Sequence, residues 1–202
     1  VIFQGSYKFL IMGRLLAIGT ATDSVTFTAT DTTSGWLGIR FESTPNTNDT
    51  SRFEYCKFKY GKANGTSSIN SGGGIYIENY SKVKINHSKF TNCFATYGSC
   101  IAFLNCDPII VGNEFYNNIT LSEGGAINGY NSSGLVVENI FENNIVTNQF
   151  GRGGAVACGG TGTISIIDNI FINNSASRGG GLFNSSGRMY VTGNTFNGNT
   201  GE

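Results

Sequence analysis

The sequence predicts an all-β solenoid, a right-handed parallel β-helix of about seven coils running through residues 1–202. Three observations predict it. Phe58, Phe90, Phe115, Phe141, Phe171 and Phe196 recur at steps of 32, 25, 26, 30 and 25 residues, each inside a similar phrase such as NEFYNN or NIFINN. A second landmark, the residue before the apolar position of each glycine phrase, falls at Gly74, Cys100, Ala126, Ala155 and Gly181, at steps of 26, 26, 29 and 26. Two independent landmarks on one period make a structural repeat. Within the repeat, apolar residues alternate at period two (Val83 and Ile85, Ile164 and Ile166, Met189 and Val191), and no helical stripe persists.

Such a unit is too small to bury its own apolar side, so it stacks on its neighbours, with strands of successive coils paired in parallel ~4.8 Å apart. Residues 1–50 read as entry coils and 51–202 as repeat coils, with no domain boundary between them. Val1 opens as if inside a strand and the chain stops at NTGE within another repeat, so the sequence reads as a piece of a longer polypeptide or a mature, trimmed product. The best loop candidates are residues 43 to 51 (STPNTNDTS) and 61 to 74 (GKANGTSSINSGGG). Extra residues in the 30-residue step are expected to bulge at a turn. Asn118, Asn144, Asn174 and Asn199 each follow a repeat Phe by three positions. Superposed, their amides both donate and accept, which predicts a ladder that also satisfies buried turn backbone. Paired glycines mark tight turns. Ile75, Ile101, Ile127, Val156 and Leu182 are expected to point inward behind them.

This alternation resembles the repeat of the polymorphic outer membrane protein family, whose hallmarks are GGA plus an aliphatic residue, and FxxN. Phe115–Asn118, Phe141–Asn144, Phe171–Asn174 and Phe196–Asn199 match FxxN; Gly124-Gly125-Ala126-Ile127 and Gly153-Gly154-Ala155-Val156 match the glycine hallmark. Residues 179 to 182 (GGGL) are a variant. Two positions depart from the pattern: Cys93 stands where Asn is expected, and residues 98 to 101 read GSCI. The entry segment is similar to the first coils of secreted bacterial β-helix proteins of pectin-lyase-like architecture, through Gly35, Trp36, Gly38, Ile39 and Phe41. The resemblance implies a secreted or cell-surface location, at the bacterial outer membrane or outside it.

Composition narrows function mainly by exclusion. With 13 basic and 13 acidic residues there is no net field to attract nucleic acid, and charged residues are 13% against a usual ~25%. No apolar run is long enough for a transmembrane helix. Five cysteines (Cys56, Cys93, Cys100, Cys106, Cys158) form no CxxC and share the chain with one histidine, which argues against zinc. They read as small buried hydrophobes, with a Cys93–Cys100 bridge left open.

Glycoside cleavage needs paired carboxylates, and no such pair with a neighbouring His-Gly occurs. The six arginines (Arg14, Arg40, Arg52, Arg152, Arg178, Arg188) fall at unrelated repeat positions. Three positions before each Phe come Tyr55, His87, Gly112, Glu138, Asp168 and Gly193, which places Glu138 and Asp168 in adjacent coils. That pair could hold a cation such as Ca²⁺ or share a proton, although two solvated carboxylates at a turn is the simpler reading.

If Ile110, Val136 and Ile166 face inward, then Ile109, Val111, Leu135, Val137 and Ile167 form an outward apolar patch suited to a protein partner or self-association. Tyr76, Tyr80, Tyr116 and Tyr130 are candidate surface tyrosines for polysaccharide contact, but they do not share one ladder. Sequons at Asn48, Asn64 and Asn118 are expected by chance in such a chain and carry no argument. The sequence therefore reads as a non-catalytic surface or secreted module with a structural or adhesive role. The alternative is a polysaccharide lyase or glycoside hydrolase, or part of one.

Overall fold

The computed structural model describes residues 1–202, except for the side chains of residues 67 and 68. Its strands form four parallel sheets, and the middle coils visit all four in turn. In the coil around Phe90, Val83–Asn86 lies in the first sheet, Lys89–Thr91 in the second, Phe94–Tyr97 in the third and Ile101–Leu104 in the fourth. The second sheet has eight strands, the first and fourth seven each, and the third only four. Registers are in step. Phe58, Phe90, Phe115, Phe141, Phe171 and Phe196 are each other's direct partners across the second sheet. This is a parallel β-helix of about seven turns, as the spacing predicted.

The phenylalanine rings form one pile inside the coil. Centroids from Phe58 to Phe196 are 4.5, 5.0, 4.8, 4.9 and 4.7 Å apart, and no pair of planes is inclined by more than 14°. Parallel pairing imposes that spacing, and an offset aromatic stack tolerates it. The pile continues upward to Phe27, 5.1 Å from Phe58 and 31 residues before it, which is not among the repeat phenylalanines read from the sequence. Trp36 is fully buried, stacks on Phe3 at 4.4 Å and donates its indole N–H to the carbonyl of Lys59. Ile75, Ile101, Ile127 and Val156 are fully buried in the fourth sheet, and Leu182 packs partly buried below them.

The two asparagines of each phrase divide the work of one turn. Asn117, Asn143 and Asn173 take the left-handed conformation, at φ of 53°, 55° and 51°. The following Asn118, Asn144 and Asn174 turn inward and form the ladder, each Nδ2 donating 2.9 Å to the Oδ1 of the next asparagine down, ending on Asn199. Each ladder Oδ1 also accepts the backbone N–H of the residue above, as Asn174 does from Asn144 at 3.0 Å. A second ladder, not read from the sequence, runs through Asn113, Asn139, Asn169 and Asn194, two positions before each Phe. It caps the turn between the first and second sheets in the same way.

The paired glycines have two different reasons. Gly124, Gly153 and Gly179 sit at φ of 69°, 67° and 64°, where a Cβ is strained. Their successors have no room, because a Cβ on Gly125 or Gly154 would overlap the carbonyl of Gly154 or Gly180 in the next coil. The extra residues of the 30-residue step do bulge, at exposed positions 147–150. The loop expected at 61–74 is corrected in part. Lys62–Ala63 is a strand of the third sheet paired with Phe94 and Ala95, and a 3₁₀ turn covers Ser67–Asn70, where residues 67 and 68 have no described side chains.

Candidate functional site

The expected acidic pair is in adjacent coils: the Glu138 N–H donates to the Ile167 carbonyl, one residue before Asp168. Both residues occupy the turn between the first and second sheets in the left-handed conformation, at φ of 55° and 52°, with exposed side chains. The flanking members of that column are Gly112 and Gly193, so no third side chain joins them. Two coils above Glu138, the His87 ring stacks on Tyr55 at 5.2 Å. Among the described residues, no three His, Cys, Asp or Glu side chains converge as a metal site would need.

The outward apolar patch has the predicted register. Ile109 pairs with Leu135, and Val111 with Val137 and then Ile167. Ile110, Val136 and Ile166 face the core, fully buried. The patch side chains are half-buried against one another, and the rows end on Lys84 and Asn86 above and on Ser165 beside Leu135.

The tyrosines require correction. Tyr80 is fully buried and donates its hydroxyl to the Asp49 carbonyl at 2.6 Å, so it presents nothing to solvent. Tyr116 lies beneath the Lys89 ammonium, 4.4 Å from its ring centre, on the second sheet. Tyr76 is buried as well, at 6% exposure, and only its edge, with the exposed Tyr130, lines a groove on the outer face of the fourth sheet. This shallow groove of about 350 Å³ is lined by Tyr76, Tyr97, Ala102, Glu123, Asn128 and Tyr130.

The groove follows from three rows of outward residues. Its floor is the column Arg40, Tyr76, Ala102, Asn128, Ala157 and Phe183, in which Ala102 and Asn128 are small beside the rings above and below. One wall is the row Ser71, Tyr97, Glu123, Arg152 and Arg178, each bridged to the next across coils. The other wall holds Glu78, Leu104 and Tyr130. Tyr97 is 36% and Tyr130 49% exposed, so both ring surfaces reach solvent. Glu123 is held by Arg152 at 3.1 Å, and Arg152 lies over the Phe183 ring. The Asn128 side-chain amide has no hydrogen bond among the described residues.

One coil above Tyr76 in the same column lies Arg40, fully buried, its guanidinium 5.6 Å from the tyrosine ring. Its Nη1 donates to the Ser71 carbonyl, while Nε and Nη2 have no hydrogen-bond partner among the described residues. Burial lowers its pKa to about 10. Arg40 thus braces the head of the groove. The arginines are also less scattered than their sequence positions suggest, since Arg152 and Arg178 are direct partners on one wall.

A family model described as a right-handed beta helix region matches residues 17–199. The chain belongs to the right-handed β-helix family. No significant match is found among curated proteins or among solved structures. The family accounts for the coil and its handedness, while the groove belongs to this chain's own outward residues.

Tyr97, Glu123, Asn128 and Arg152 were not singled out from the sequence. The signal that finds them is the repeat register itself. Once the residues around Ile75, Ile101, Ile127 and Val156 are aligned, Tyr97, Glu123 and Arg152 fall four positions before them and Asn128 one position after, in outward columns.

Proposed function

We propose that the chain is a non-catalytic β-helix module that binds a saccharide along the groove on its fourth sheet, at the bacterial surface or outside the cell. The observation that carries this reading is the pair of exposed rings, Tyr97 and Tyr130, flanking a floor of Ala102 and Asn128. Flat aromatic faces supply apolar contact at low entropic cost, and the Asn128 amide and Glu123 carboxylate supply oriented polar groups. Neighbouring coils repeat these positions every ~4.8 Å, a spacing suited to an extended chain lying along the axis. The bacterial surface location rests on the resemblance to the polymorphic outer membrane repeat and to secreted β-helix entry coils.

The test is a titration of the purified protein with a panel of neutral and acidic polysaccharides, followed by protein NMR or affinity electrophoresis. Binding is expected to be lost in Tyr97→Ala and Tyr130→Ala and kept in Tyr116→Ala. Release of reducing ends or unsaturated products would overturn the non-catalytic reading. If Glu138→Ala with Asp168→Ala abolished that release, the acidic pair would be the catalytic site.

The outward patch of Ile109, Val111, Leu135, Val137 and Ile167 is proposed as a second contact surface, toward another copy or domain. Its contiguity across three coils supports this, and Val111→Lys with Val137→Lys should lower the oligomeric mass seen by light scattering.

A further inference from the structure

Two departures from the repeat fall in the same coil, and both are cysteine. In the column that forms the asparagine ladder, the residues from the top are Gly61, Cys93, Asn118, Asn144, Asn174 and Asn199. In the small-residue column before the fourth sheet they are Gly74, Cys100, Ala126, Ala155 and Gly181, linked coil to coil by backbone hydrogen bonds of 2.8–3.0 Å. Neighbouring coils thus fill these positions with glycine twice, or with asparagine facing alanine or glycine. Only the coil holding Phe90 places a thiol in each.

The two columns touch because the short third sheet folds the chain back on itself within a coil. In the coil above, a Cβ on Gly61 would stand 3.1 Å from the amide nitrogen of Gly74 and would overlap the carbonyl of Gly73. Cys93 and Cys100 occupy those same two places one coil below, buried to 1% and 0% exposure. The Cys93 thiol lies near enough to that of Cys100 to add to the upward shift that burial imposes on it.

The exchange of asparagine for cysteine also gives something up. The N–H of Cys93 is still received by Asn118 Oδ1 at 2.9 Å, but its thiol reaches only the carbonyls of Thr91 and Phe58, at 3.8 and 4.0 Å. An asparagine there would donate a full amide hydrogen bond into the coil above, as Asn118 does to Phe90. Packing alone does not favour cysteine at this position.

We propose that Cys93 and Cys100 are a disulfide-forming pair, a staple that closes the third-sheet corner of one coil when the protein folds in an oxidising compartment. The step is thiol–disulfide exchange. Each thiol loses a proton, one S–S bond forms between the two cysteines, and the two electrons reduce an external disulfide, such as oxidised glutathione, to two thiols. Burial pushes the Cys100 thiol well above its ordinary range, so the closed coil offers little thiolate. The bond therefore forms while the corner is still open during folding and is afterwards shielded from reductants. Cys56, Cys106 and Cys158 sit in other columns, facing Ser88, Ser132 and Gly129 respectively. The inference is independent of what the groove binds.

The test is refolding of the reduced, denatured protein in a glutathione redox buffer, against a parallel refolding in reductant, with free thiols then alkylated under denaturing conditions. The oxidised sample is expected to be lighter by about 2 Da before alkylation and to take up label on three of its five cysteines. After chymotryptic cleavage at Phe94 or Tyr97, the fragments carrying Cys93 and Cys100 should remain joined until reduced. Five labelled thiols, or a bridge from either cysteine to Cys56, Cys106 or Cys158, overturns the proposal.

A second measurement uses Cys93→Asn with Cys100→Ala, which restores the residues of the coils below. Oxidised wild type should melt about 5 °C or more above reduced wild type, and the double variant at one temperature in both buffers. A redox-dependent shift that persists in the double variant equally overturns it.

Discussion

Asn144→Ala tests the amide ladder at a fully buried rung. Asn144 is fully buried and makes four side-chain hydrogen bonds. Its Nδ2 donates 3.0 Å to the Phe115 carbonyl and 2.9 Å to Asn174 Oδ1, while its Oδ1 accepts from the Asn118 backbone N–H at 3.3 Å and from Asn118 Nδ2 at 2.9 Å. Alanine severs all four. Asn118 Nδ2 keeps the Phe90 carbonyl, and Asn174 Oδ1 keeps the Asn144 N–H. The Asn118 N–H and the Phe115 carbonyl lose the ladder partner and cannot reach water. Each such orphan costs about 1–3 kcal/mol, so the expected loss is about 3–5 kcal/mol.

Asn199→Ala makes the same chemical change on the last, half-buried rung, where water reaches the groups released, and should cost about 1–2 kcal/mol. The assay is urea unfolding followed by far-UV circular dichroism, comparing midpoints at unchanged m-value. A loss below about 1 kcal/mol for Asn144→Ala, or one no greater than that of Asn199→Ala, would refute the ladder as a source of stability.

Three further outcomes are expected. Phe141→Ala removes a ring stacked on both faces and should cost about 3–5 kcal/mol, whereas Phe196→Ala, 49% exposed and stacked on one face, should cost under about 1.5 kcal/mol in the same unfolding assay. Glu138→Asn places a residue that tolerates the left-handed region at φ 55° and should stabilise by about 0.5–1 kcal/mol, read as a rise in the denaturant midpoint.

The third concerns alkaline stability of the reduced protein. Burial lifts the thiols of Cys56 to about 11 and of Cys106 and Cys158 to about 12, from an ordinary value of 9.0. The unfolded chain then binds fewer protons than the folded one, so stability falls as pH rises from 9 towards 12. Arg40, lowered to about 10 by burial, stays protonated longer in the unfolded chain and opposes the fall above pH 10. Melting temperatures between pH 9 and 10 therefore report chiefly the thiols, and a flat profile there would count against their burial.

The repeat made the coil legible because stacking forces a shared vertical position on residues one turn apart. Phe115, Phe141 and Phe171 could be aligned by counting, and so could the Asn118 ladder and the outward apolar patch. The Asn113 ladder was equally countable but was hidden in the first letter of the N-x-F phrase, overshadowed by the asparagine pair that follows. Tyr80 misled because a lone tyrosine between polar neighbours looks exposed. Only the fold shows that its ring packs on Phe41 at 5.6 Å with the hydroxyl tied to Asp49.

The groove was hidden for another reason. Tyr97 sits at the end of the third sheet and Tyr130 at the end of a fourth-sheet strand, so they share no sequence column. They line one groove because the chain turns at Gly98 and again at Gly124, both at positive φ, between the third and fourth sheets.

By itself, the sequence determined the period, the parallel register and which face of each strand looks inward, because those follow from one-dimensional spacing along a chain that must bury its apolar side. The tertiary structure alone decided which outward residues from different sheets meet, how deeply Arg40 and Tyr80 are covered, and that Cys93 and Cys100 share one corner. Those outcomes depend on the angle at which each coil turns between sheets, and turn angles are set by backbone packing against the coils above and below.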